Sequence, residues 1–244
     1  MPWYTASFVT HQLADGIDGS GFTSREYWCL LTAEDSAKAH VKAVSLAEAA
    51  VDRLATDKGS KWRFDGLSEL LMTIDPEPSP SGELTWAEEE LPPDTLDEYV
   101  KKKDQLSIFK PSAQPKEASG WYVCDLVLVE VHDTGSHGDS LLVWIDQYLI
   151  SALDAESAYD SALALGREQI TEPRSHRCDG NGAHWEFKGL RNVVQTIDPP
   201  IDGGMLYFEE STLSLEQLRA LIPPRVELGV FRWEASHRPK SAGG

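Results

Sequence analysis

Long apolar runs are missing from this chain of 244 residues: no stretch of 18 occurs, so nothing in it reads as a membrane-spanning helix. The start, Met1-Pro2-Trp3-Tyr4, enters a strand pattern at once and lacks the basic and apolar segments of a secretory leader. Cysteine is scarce. Cys29, Cys124 and Cys178 are the three, with no Cys-x-x-Cys pair, which excludes a disulfide framework and fits thiols kept reduced. Together these absences give the expectation of a cytoplasmic protein with no membrane partner. Positive charge is also short: 22 Lys and Arg stand against 40 Asp and Glu, a net charge of −18. The deficit is even, with 21 acids and 12 bases in residues 1–118 and 19 acids and 10 bases in residues 119–244, so each half carries −9. A field of that sign repels nucleic-acid phosphates, so no nucleic-acid partner is expected. It favours solubility, or rapid capture of a basic protein. Catalytic signatures are absent too. No Gly-x-Ser-x-Gly elbow occurs, and the glycine-rich segment Gly16 to Gly21 precedes a strand pattern rather than the helix that a phosphate loop requires.

What is present is a repeat. Trp62 to Pro76 and Trp185 to Pro199 both read Trp-x-Phe-x-Gly-Leu, five unmatched residues, then Thr-Ile-Asp-Pro, with 8 of 15 positions identical. Trp62 and Phe64 alternate with Arg63 and Asp65, and Trp185 and Phe187 with Glu186 and Lys188, as in a half-buried strand. Gly66 and Gly189 then interrupt, which predicts a bulge or a close backbone approach. Leu67, Leu70, Leu71 and Ile74, with Leu190, Val193, Val194 and Ile197, continue the apolar face. Asp75-Pro76 and Asp198-Pro199 close each copy as turns. Trp62, Phe64, Gly66, Asp75, Trp185, Phe187, Gly189 and Asp198 are read as structural positions.

In chain order, Trp3 to Val9 and Tyr27 to Ala33 read as strands around a loop from Leu13 to Ser24. Asp35 caps a helix whose stripe runs His40, Ala43, Val44, Ala47, Ala50, Val51 and Leu54. After the first matched strand come a strand at Glu83 to Ala87, a short helix at Thr95 to Lys103 and a last strand at Leu106 to Phe109. The second copy repeats the order: strands at Val123 to Val131 and Leu141 to Leu153, a cap at Asp154, and a helix ending near Gln169. Its matched strand, a strand through Met205 to Phe208, a helix at Leu213 to Leu221 and a strand at Val226 to Trp233 follow. The expected organisation is a first repeat at 1–110, a linker at 111–120, a second repeat at 121–234 and a tail at 235–244. Each repeat reads β-β-α-β-β-α-β. The fold class is α+β, an antiparallel sheet with one long helix on one face in each repeat, the two forming a pseudo-dimer.

These positions resemble a bacterial domain-of-unknown-function family, the one numbered 4288, in two tandem copies. The resemblance rests on Trp121, Tyr122, Ala152, Asp154, Ala158, Ala162, Trp185, Phe187, Gly189, Gly204 and Tyr207. In the first copy it rests on Trp3, Tyr4, Ala33, Asp35, Ala39, Ala43, Trp62, Phe64, Gly66 and Gly82. The family's acidic residue after the turn glycine is matched by Glu83, but Met205 stands there in the second copy. The resemblance implies a small bacterial cytoplasmic protein and carries over no catalytic residue.

Three constellations could bear chemistry. His176, Cys178 and His184 are weak metal candidates, with Asp179 beside them and His132, Asp133 and His137 able to join only if two loops meet; a polar loop is the plainer reading. Asp75 and Asp198 could act as paired carboxylates, although Asp-Pro is a common turn former. The acidic run from Glu83 to Glu98 is the densest charge, and Lys101 to Lys103 follow it. The expected function is that of a non-enzymatic acidic binding protein of bacterial immunity or defence type. It would take no cofactor and hold a basic protein partner through Glu83, Glu88, Glu89, Glu90 and Asp94. The alternative is a small-ligand or nucleotide sensor with a pocket between the repeats. A third reading is a metal-dependent hydrolase using the His176–His184 loop.

Overall fold

Alternation builds the first sheet. Along β1 (Trp3–Leu13), Tyr4, Ala6 and Phe8 enter one core, and along β2 (Phe22–Thr32), Tyr27, Cys29 and Leu31 join them. Helix α1 (Ser36–Thr56) covers that face through the buried Ala39, Ala43, Ala47 and Ala50, whose small side chains at helical spacing let it lie close to the sheet. The Lys38 N–H donates to Asp35 Oδ1 at 2.8 Å, satisfying one free donor of the first turn. β3 (Lys61–Met72) pairs antiparallel with β1. The second sheet repeats this with β5 (Gly120–His132), β6 (Leu141–Ala152) and β7 (Ala183–Gln195). Tyr122, Cys124 and Leu126 meet Ala158 and Ala162 of α3 (Ala155–Gln169), which starts on a bond from Ser157 N–H to Asp154 Oδ1 at 2.7 Å. This computed structural model describes residues 1–13, 22–56, 61–109, 120–132, 140–169 and 183–237.

Both matched strands carry the same two register shifts, opposite Ser7/Phe8 and Val9/Thr10 in β1 and opposite Asp125/Leu126 and Val127/Leu128 in β5. The glycines sit between these irregularities, Gly189 at a φ of 145°. A Cβ on Gly66 would overlap Ile222, and one on Gly189 would overlap Val100, so each glycine makes room for a branched side chain.

The fourth strands leave their own repeats. β4 (Glu83–Leu91) pairs antiparallel with β6, and β8 (Met205–Leu213) with β2. The sheets are therefore ordered β3-β1-β2-β8 and β4-β6-β5-β7. Two compact units result, one of Met1–Pro76 with Pro200–Gly244 and one of Glu77–Pro199. The chain passes between them directly after Asp75-Pro76 and Asp198-Pro199, so the duplicated Thr-Ile-Asp-Pro marks both crossings. Each arriving strand is fixed by the same backbone pair. Gly203 N–H donates to Leu30 O at 2.8 Å and Leu30 N–H to Gly204 O at 2.9 Å; Ser81 N–H donates to Leu149 O at 2.7 Å and Leu149 N–H to Gly82 O at 2.9 Å. Ser81 and Gly203 hold this turn at φ values of 64° and 81°. Beyond β8 come α4 (Leu215–Ala220), a 3-10 turn and α5 (Gly229–His237); Leu228 just before α5 and Val230 within it enter the first core. Beyond β4, the short helix α2 (Leu96–Tyr99) and 3-10 turns bring Leu106 into the second.

The molecule is α+β, with two four-stranded antiparallel sheets and a few helices. Neither expected final strand forms. Ser107–Phe109 is a 3-10 turn, and Arg225–Glu227 and Gly229–His237 are a 3-10 turn and α5; both segments pack aromatic side chains against a helix, Phe109 on Tyr159 of α3 and Phe231 on His40 of α1. Gly120 belongs to β5 rather than to the linker, and 110–119 lie outside the described residues, as do 238–244 of the tail. Strand β2 starts at Phe22, so Phe22 to Ser24 leave the expected loop. Ile74 and Ile197 are about half exposed beyond the strand ends and do not continue the apolar face.

Candidate binding surface on the outer strands

β4 is an outermost strand of its sheet, and alternation sorts its side chains. Trp86 and Glu88 share a face with Trp144 of β6. The two indoles stack at 5.2 Å, Trp144 lies 4.4 Å from the buried Trp185 of β7, and Trp144 Nε1–H donates to Glu88 Oε2 at 2.8 Å. Trp86 remains 45 % exposed, and Glu88 and Glu90 are exposed. On the opposite face Leu91 packs with Val127, Val129 and Val143 under Tyr99 and Val100. There Arg191 donates to Tyr99 Oη at 2.7 Å and lies 3.5 Å from Glu89. Burial pushes the Tyr99 phenol well above its usual range, against the pull of Arg191.

The first sheet builds a counterpart from different residues. Phe208 and Glu210 of β8 correspond to Trp86 and Glu88, and Arg25 of β2 stands where Trp144 stands. The Arg25 guanidinium lies 4.5 Å from the Trp62 ring centre and 4.9 Å from that of Phe208, and its Nε–H donates to Glu210 Oε2 at 2.9 Å. Burial works against its charge, yet bonds to Tyr27 and Glu210 hold the guanidinium above its ordinary value. In both sheets a flat group is held between two aromatic rings and bonded to a glutamate of the arriving strand.

The expected binding residues are only partly brought together. Glu88 and Glu90 share one face of β4, Glu89 points to the other, and Asp94 is exposed in the 3-10 turn after it. Glu83 is buried and accepts a bond from Tyr148 Oη at 3.1 Å, which makes it an internal acceptor rather than a surface charge. His184 is exposed beside Glu186 at 3.3 Å, while His176 and Cys178 lie outside the described residues. Among the described residues no group of three or more His, Cys, Asp or Glu could hold a metal ion. Asp75 and Asp198 lie at the two crossings, in different compact units. Arg25, Trp144, Trp86 and Phe208 escaped the sequence reading; aligning Arg25 with Trp144, both planar and both between aromatics, was the signal that could have found them.

Fold and surface define an α+β protein of repeated sequence with acidic, aromatic outer strands. Residues 121–208 match the family described as Domain of unknown function (DUF4288). The match runs from the start of β5 into β8, so it contains one repeat through its departing strand and straddles both compact units. No curated protein and no solved structure matches the chain.

Proposed function

We propose that this is a non-enzymatic binding protein of bacterial immunity or defence type that captures a basic protein on the acidic, aromatic face of β4. On this reading the first repeat is a diverged second copy of the family matched by the second. The observation that supports it is the half-exposed Trp86 on an outermost strand, flanked by the exposed Glu88 and Glu90. Arg25 illustrates what such a surface accepts, because a guanidinium there meets aromatic faces and a carboxylate at once. The net charge of −18 would add long-range attraction and speed encounter with a basic partner.

The test is affinity purification of the tagged protein from its host at low salt, beside a variant carrying Glu90→Lys and Asp94→Lys. Both residues are exposed, so the variant should melt as the parent does. The expected result is one stoichiometric basic partner, lost from the variant and weakened about tenfold or more by raising the salt. A partner held equally by both proteins, or one indifferent to salt, removes the reading.

A further inference from the structure

Each sheet receives an arm from the other repeat: residues 77–109 reach the second sheet and residues 200–237 the first. We propose that this exchange is chosen by side-chain matching, each sheet being selective for the arm it holds.

Equivalent pairs in the two sheets differ in chemistry. At the start of the arriving strand, Glu83 lies opposite Tyr148 and takes its phenol hydrogen bond, while Met205 lies opposite Cys29. Two residues on, Thr85 faces Gln147, whereas Tyr207 faces Trp28 and stacks on it at 4.6 Å with the planes 10° apart. In the preceding turn, Asp202 accepts two bonds from Lys42 Nζ at 2.6 and 2.7 Å, and the matching residues of the other sheet are Pro80 and Ser161. At the first two places polar meets polar in one sheet and apolar meets apolar in the other; at the third, an ion pair in the first sheet has no charged equivalent in the second.

Folding each arm back onto its own repeat would undo every match. Glu83 would be buried against Cys29, Met205 would replace the acceptor of Tyr148, Thr85 would lie under Trp28, and Lys42 would face Pro80. Burying a carboxylate without its donor is the gravest of these changes. Sequence therefore separates two arrangements that backbone geometry alone leaves equal, since both strands arrive through the same turn and the same backbone bonds.

The rival explanation is that the proline-rich crossings hold the arms apart whatever their side chains. Cysteine pairs in the full chain decide between them. Thr23 lies opposite Thr212, and would lie opposite Glu90 if the first arm folded back. Under mild oxidation, Thr23→Cys with Thr212→Cys should cross-link and Thr23→Cys with Glu90→Cys should not. The arms are then traded in chemistry by Pro80→Asp, Glu83→Met and Thr85→Tyr together with Asp202→Pro, Met205→Glu and Tyr207→Thr. The cross-link should move from the 23–212 pair to the 23–90 pair. Retention of the 23–212 link in the traded chain overturns the proposal in favour of the crossings. A smaller change guards against failure to fold: Met205→Glu alone should lower Tm by about 5–10 °C, and Cys29→Tyr added to it should restore at least half of the loss. No restoration by Cys29→Tyr overturns the proposal as well.

Discussion

Close contact decides one residue whose substitution looks harmless, and charge decides another. Gly166 lies on the sheet side of α3, where a Cβ would overlap the Phe187 ring. Alanine there gains about 0.8–1 kcal/mol of helix propensity but faces an overpacking cost of about 1–3 kcal/mol. Gly166→Ala should therefore lose about 1 kcal/mol in urea denaturation, and Phe187→Leu in the same chain should remove the penalty. Glu26 is decided by charge. Burial raises its carboxyl above the usual range, against the hydrogen bond that Ser68 donates at 2.6 Å and with Glu209 adding repulsion. A carboxyl whose pKa is higher folded than unfolded contributes stability below the unfolded value of about 4.3, and that contribution is lost as pH rises through the folded value. Glu26→Gln keeps the shape without the charge. Its Tm should exceed the parent's by about 2–4 °C at pH 7, and the gap should close as the pH is lowered to about 4. A parent that stays the more stable at pH 7 would show that ionised Glu26 is well accommodated.

Between elements, the turn before β8 is tied to α1 and β2 by Asp202, which accepts from Lys42 Nζ and from Thr32 N–H at 2.7 Å. Partial burial works to raise the Asp202 carboxyl, but those bonds together outweigh it and leave the group below its ordinary value. A depressed carboxyl contributes stability above the unfolded pKa of about 3.9, and loses it as pH falls through the folded value. The parent should thus lose stability between about pH 5 and 2 that Asp202→Asn never had, so the two Tm curves should converge on acidification; parallel curves would show that the tie contributes nothing. This element also shows where sequence reading stopped. The long helices were legible, because alanines at helical spacing behind Asp35 and Asp154 carry both the stripe and its cap. The glycine irregularities in β3 and β7 were legible for the same kind of local reason. The short helices after β4 and β8 were legible as well, but the ends of those segments were not. Ser107 to Phe109 and Val226 to Trp233 are short apolar runs that fit a strand or a helix equally, and only the packing of Leu106 and Leu228 against α3 and α1 decides. Glu83 reads as one more surface acid because it opens the acidic run to Glu98, and its burial follows from a tyrosine in the other repeat. The choice of sheet for each fourth strand is written in pairs remote in sequence, which no local pattern reports.

At the scale of the whole molecule, repeats and compact units are different divisions of one chain. The unit of Met1–Pro76 takes its outer strand and the helices after it from residues 200–237, and the unit of Glu77–Pro199 takes β4 and α2 from the first repeat. Cutting the chain within 110–119 would therefore leave two pieces, each of which has given a strand and core side chains to the other. Ordinary tandem domains would part after such a cut and melt independently. Here each sheet would keep an edge strand supplied by the other piece, together with Leu106 or with Leu228 and Val230 in its core. A protease site placed in 110–119 of the full chain makes the comparison direct. The cut protein should elute as one species at the volume of the intact chain, with equal amounts of both pieces, and should separate only when denatured. Dissociation should also become dependent on protein concentration, because joining the pieces is no longer intramolecular. Two separately eluting folded pieces would show instead that each repeat can complete its own sheet, and that the exchange is a choice the connected chain makes rather than a requirement of its folding.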